Sequence, residues 1–138
     1  MRSELSKKNP YWLPKERYLE LRHFVKGYWW YMNELRSLYA AKGKSLIDLT
    51  EGKKRYSFND MPHLALYYEE RLDLIDKALS EVGGDIFGPT LLWVITDNVS
   101  YDKVNAQCPI PCGRRQFYQM YRQFFWVLDK LLKGHSLT

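Results

Sequence analysis

The chain has 138 residues, 46% of them hydrophobic and 27% charged, with a formal net charge of +5. That size and balance suit a single folded domain, and they exclude both end-to-end disorder and a multidomain enzyme. No apolar run approaches the roughly 18 residues a membrane span needs, and the first residues lack the charged-then-apolar order of a secretory leader, so no membrane partner and a cytoplasmic setting are expected.

Residues 1–14 read as an extended basic arm. Arg2, Lys7 and Lys8 lead into Asn9-Pro10 and Leu13-Pro14, where each proline forces its predecessor out of helical geometry. From Lys15 to about Ala41 the apolar residues Tyr18, Leu21, Val25, Tyr28, Met32, Leu35 and Tyr39 recur at steps of three and four, the signature of an amphipathic helix. Gly27 in its middle predicts a kink or a close backbone contact. Trp29, Trp30 and Tyr31 follow at once. Three consecutive rings cannot share one helix face, so they are covered from several directions, by the rest of the fold or by another chain.

Residues 42–60, with Gly43, Gly52, Lys53-Lys54-Arg55 and Asn59-Asp60, gather turn-formers and are expected as a long basic loop. Asp60 then caps a second helix whose seam is Met61, Ala65, Tyr68, Leu72, Ile75, Leu79 and Val82 and whose outer face is acidic, with Glu69, Glu70, Asp73, Asp76 and Glu81. Gly83-Gly84 stops it, and a short greasy helix is expected over Pro89–Thr96. No strand-like segment of comparable quality exists to pair with that run, so the fold class is all-α with heptad-patterned helices. One compact unit in two parts is expected: residues 1–60 as basic arm, aromatic helix and loop, and residues 61–138 as acidic scaffold helix plus helix-turn-helix.

Charge follows the same division. Residues 1–60 carry thirteen Lys/Arg against seven Asp/Glu, residues 61–100 two against seven, and residues 101–138 six against two. A basic head and tail around an acidic middle favour an acidic partner over even solvation. The aromatic share, 16%, exceeds what a small core easily hides, so some rings are expected to serve a partner. Chemistry-bearing motifs are lacking by contrast. Cys108 and Cys112 read as free thiols, and His23, His63 and His135 lie singly along the chain. No phosphate loop, nucleophile elbow or metal-ligand spacing is spelled out, so no enzyme, cofactor or metal is expected.

The carboxyl-terminal third has a helix, turn, helix, turn, helix rhythm. Ser100 is a good amino-terminal cap for a short helix ending near Gln107, and Cys108-Pro109-Ile110-Pro111 re-aims the chain into a long helix from Gly113 to about Lys133. This resembles a helix-turn-helix, whose second helix lies in the DNA major groove. Along that last helix Phe117, Tyr121, Phe124, Leu128 and Leu131 form a core stripe. Arg114, Arg115, Gln116, Tyr118, Gln119 and Arg122 gather towards its start, with Ser100 and Lys103 on the preceding helix. Arg grips guanine and Gln adenine bidentately, so these types fit base readout as well as phosphate contact. Phe125 or Trp126 is expected to dock on the amino-terminal helix or on a second copy.

Over residues 61–138 the chain resembles small phage late-transcription regulators of the ArpU and RinA type, themselves similar to the promoter-binding end of sigma-70 factors. Val99-Ser100-Tyr101-Asp102-Lys103-Val104 stands where these carry the first helix of the motif, and Cys112-Gly113-Arg114-Arg115-Gln116-Phe117-Tyr118 where the recognition helix begins. The chain departs from the pattern at Asn98, where glycine is usual, and in its Cys-Pro-Ile-Pro turn. The resemblance implies binding to double-stranded DNA, contact with RNA polymerase or another host protein, and a phage-encoded regulator. The rival reading is a phage-encoded, non-enzymatic inhibitor of a host nuclease, akin to anti-CRISPR proteins, docking through Trp29, Trp30, Tyr31, Arg36 and Trp126.

Overall fold

The computed structural model describes residues 9–51 and 60–134, with side chains over 9–40 and 63–134. Arg2, Lys7 and Lys8 of the expected arm, the Lys53-Lys54-Arg55 run and His135 lie outside the described residues. All regular structure is helical: α1 (Lys15–Lys26), α2 (Tyr28–Glu51), α3 (Asp60–Thr96), α4 (Tyr101–Gln107) and α5 (Arg114–Lys133), with no strand among the described residues. The described chain divides into two units, residues 9–27 with 74–134, and residues 28–51 with 60–73.

In the larger unit the chain enters through a turn. The Trp12 N–H donates to the Asn9 carbonyl at 3.0 Å and the Tyr11 N–H to Asn9 Oδ1 at 2.9 Å, so one asparagine holds both ends of the bend at Pro10. Pro14, at φ −56° and ψ 142°, then leads into α1, which buries Tyr18, Leu21 and Val25. α1 packs on α5, Tyr18 against Tyr121 and Phe125, and of the expected α5 stripe Phe117, Tyr121, Phe124 and Leu128 are buried while Leu131 is half-buried. Phe125 does dock on the amino-terminal helix, edge-on to Tyr18 with ring centroids 5.1 Å apart, and Trp126 meets Tyr11 at 5.5 Å. Beside these rings the buried Asp129 carboxylate is gripped by Arg17 at 2.6 Å and Lys133 at 3.0 Å.

The expected stop at Gly83-Gly84 is a sharp corner within α3. Only Gly84 leaves helical geometry, at φ 61° and ψ −157°, a region essentially reserved for glycine. Helix resumes at once, earlier than the expected start, so Pro89 lies inside it. The corner is tight. A Cβ on Gly83 would lie 2.8 Å from the Gly88 nitrogen and 3.2 Å from Leu91 Cδ1, so the two arms of α3 close against each other there.

At the far end of α3, Asn98 adopts φ 53° and the Val99 N–H reaches back to the Val94 carbonyl at 3.2 Å, closing the helix in a Schellman arrangement. Asparagine tolerates this left-handed position better than other non-glycine side chains. Ser100 caps α4, its Oγ accepting the Lys103 N–H at 3.2 Å. Buried Ile110 anchors the connection to α5, donating its N–H to Asn105 Oδ1 at 2.8 Å.

The smaller unit corrects two expectations. The helix drawn from Lys15 to Ala41 is interrupted at Gly27, and the loop drawn over 42–60 is helical through Glu51 and again from Asp60. Lone Gly43 costs about 1 kcal/mol against alanine, which the surrounding Ala, Lys and Leu outweigh. Tyr28, Leu35 and Leu72 are buried, whereas Tyr39, placed on the same seam by its spacing, is 52% exposed and donates its hydroxyl to Glu69.

Candidate functional site

α5 places its residues by helical period. With the aromatic stripe buried, the residues between its turns face outward, and Arg115, Gln116, Gln119 and Arg122 line one open cleft of about 730 Å³ with Gly113 and Asn9. Asn9 was invisible as a site residue from sequence. The Asn9-Pro10 turn was readable, but its position beside α5 depends on Tyr11 seating against Trp126.

The electrostatics of this end are one-sided. Gly113 offers no side-chain cap and no acidic residue occupies the first turn of α5, where the helix dipole favours negative charge. Arg114 and Arg115 stand there instead, each opposed by the dipole by about 0.3–1 kcal/mol. Arg114 is paired with Asp102 of α4 at 3.1 Å, but both side chains are about two-thirds exposed, and such pairs contribute only about 0–1 kcal/mol. Among the described residues no carboxylate pairs with Arg115 or Arg122, and the buried Nε of Arg122 has no hydrogen-bond partner. A local arrangement that opposes its own helix yet leaves cations unpaired is ready-made for an anion.

The remaining sequence candidates fall elsewhere. Tyr118 is half-buried, and its hydroxyl accepts the Tyr101 N–H at 3.0 Å, so it ties the start of α4 to α5. The Tyr101 ring packs against Phe117 and its hydroxyl donates to the Cys112 carbonyl, which fixes how α4 meets the first turn of α5. Ser100 serves as the α4 cap, and Lys103 is exposed on that helix. Cys108 and Cys112 are free, and burial pushes the Cys112 thiol up.

Of the residues expected at a protein interface, Trp29 and Trp30 are 49% and 55% exposed and Arg36 is exposed, while Tyr31 is half-buried against Trp30 and Tyr68. Trp126 belongs to the other unit, where it meets Tyr11 edge-on and the Lys130 ammonium lies 3.6 Å from its ring centroid. Among the described residues no group of three or more His, Cys, Asp or Glu is placed to hold a metal, and no helix is long and apolar enough to cross a membrane. No protein family, characterised protein or solved structure matches the chain.

Proposed function

We propose that this chain is a non-enzymatic, DNA-binding transcription regulator of the phage type, in which α4 supports and α5 enters the major groove as the reading helix of a helix-turn-helix. One observation carries the reading: Arg115, Gln116, Gln119 and Arg122 line one open cleft at the start of α5, and among the described residues no carboxylate pairs with the two arginines. Arg and Gln are the side chains whose forked donors and acceptors match guanine and adenine edges, and a helix start is where a reading helix presents them. On this reading Lys103 and Arg114, both exposed, are the phosphate contacts.

The test is duplex binding at two salt concentrations. Affinity is expected to fall steeply with salt, with a log–log slope of about −0.9 per phosphate neutralised, and Arg115→Ala with Arg122→Ala to remove binding while the helical circular dichroism stays intact. Salt-independent binding, or a double variant that binds like the parent, overturns the reading.

A second reading rests on the other unit. Trp29, Trp30, Leu66 and Tyr67 are all more than one-third exposed, the composition of a protein-docking patch. A host protein, RNA polymerase included, or a second copy is the partner class this favours. Loss of partner capture in Trp30→Ala, with capture retained in the double arginine variant, would assign function to this patch instead.

A further inference from the structure

Away from the α5 cleft, a smaller cavity of about 260 Å³ lies between α1, the end of α3 and the other flank of α5, lined by Tyr18, Arg22, Asn98, Ser100, Tyr118 and Tyr121 together with Val94 and Val99. Its polar groups can be counted proton by proton. The Tyr118 hydroxyl oxygen accepts the Tyr101 N–H, so its own proton is uncommitted. Ser100 Oγ accepts the Lys103 N–H and likewise keeps its proton. Tyr18 and Tyr121 share one hydrogen bond of 2.7 Å between their hydroxyls, which consumes one proton of the pair and leaves the other.

Arg22 completes the lining. One of its Nη groups donates to Asn98 Oδ1, which uses the amide oxygen and leaves the amide N–H groups as further donors. The buried Arg22 Nε–H has no partner, and among the described residues no carboxylate pairs with this guanidinium. The lining contains no Asp or Glu. Donors therefore outnumber acceptors around a space that also holds a positive charge; Ser100 and Asn98 are exposed and their donors reach water, but the buried Arg22 Nε–H left unpaired costs free energy that an incoming acceptor recovers. A tetrahedral oxyanion supplies what is lacking: several acceptor oxygens, and negative charge against Arg22.

We infer that this cavity is an oxyanion site that takes a phosphate group, held by the Arg22 guanidinium and the Ser100 and Tyr118 hydroxyls. The inference stands on the donor surplus and the unpaired arginine, independently of what α5 reads. Phosphate reaches such a site either on a small phosphorylated molecule or as a backbone phosphodiester of nucleic acid.

The experiment is an amide and Arg Nε–H titration of the full chain by NMR with inorganic phosphate, against chloride at matched ionic strength. Saturable shifts are expected at the Arg22 Nε–H and at the Asn98, Ser100 and Tyr118 amides. Arg22→Gln should weaken them about tenfold or more, with Arg22→Lys intermediate because it keeps the charge and loses the planar fork. Unsaturable shifts, shifts confined to exposed lysines, or equal affinity in a folded Arg22→Gln protein overturn the proposal; the unmodified chain's Arg22 Nε–H signal decides it even where that variant does not fold. A short duplex that then displaces inorganic phosphate from these resonances names the nucleic-acid backbone as the source, and one that leaves it bound names a free phosphorylated ligand. Perturbation of Arg115 and Arg122 by duplex reports on α5 separately.

Discussion

The two units differ in how many of their aromatic residues they bury. In the larger, Tyr18, Tyr101, Phe117, Tyr121, Phe124 and Phe125 are all less than one-tenth exposed, whereas in the smaller Trp29, Trp30, Tyr39 and Tyr67 are each at least 40% exposed. Helical spacing accounts for most of the contrast. Rings set at steps of three and four, like those of α5, share one face and can be buried together. Rings at consecutive positions point around the helix and need cover from more than one side: Trp29 and Trp30 of α2 stay about half exposed, whereas Phe125 of α5 is covered by Tyr18 of α1. Buried rings fix the larger unit's shape, while exposed ones leave the smaller unit's aromatic area for contact.

That contrast can be broken most forcefully by truncating one ring on each side. Phe124→Ala should cost about 3–5 kcal/mol in denaturant unfolding, the usual loss for a buried Phe, whereas Trp30→Ala should cost well under half of that. Similar losses from both would show that exposure does not separate the two sets. Within the larger unit, Gly84→Ala forces a Cβ into a backbone region that only glycine occupies freely, and a loss of about 1–3 kcal/mol is expected in the same measurement.

A third, smaller effect concerns Asp129. Burial pushes its carboxyl up, but hydrogen bonds from Arg17 and Lys133, with their charges, outweigh burial and hold it below the ordinary value of 3.8. With the folded value depressed, the contribution is fully present above that ordinary value and disappears as pH falls through the folded one. Asp129→Asn should therefore flatten the loss of stability below about pH 4, read from melting temperature against pH. An unchanged acid limb would place the acid sensitivity elsewhere.

The smallest change in stability, about 0–1 kcal/mol, is expected from Asp102→Asn, because its ion pair with Arg114 is exposed. Its value lies in a second readout. Releasing Arg114 and removing a negative charge beside the cleft should tighten duplex binding a few-fold at low salt, and weaker binding would argue against DNA as the ligand of that face.

Much of the larger unit was legible in the sequence because its signals agree. The α5 stripe, the Ser100 cap and the break at Gly83-Gly84 each follow from one local rule, and tertiary packing reinforces each. Misreadings arose where a local signal was weak or gave no angle. Gly43 suggested a loop, yet one glycine among good helix formers does not end a helix; at Gly27, expected as a kink or a close backbone contact, α1 gives way to α2. The site was half legible. Helical period put Arg115, Gln119 and Arg122 on one face, but Asn9 and Arg22 enter their cavities from segments distant in sequence, and only tertiary structure brings them there.

Seating α1 against α5 joins stretches of chain far apart in order of synthesis: Arg17 reaches Asp129 across 112 positions and Tyr18 reaches Tyr121 across 103. While a ribosome is still translating the middle of the message, Tyr18 lacks the Tyr121 and Phe125 partners it meets in the folded protein, and docking of the first helix waits for the late-emerging one.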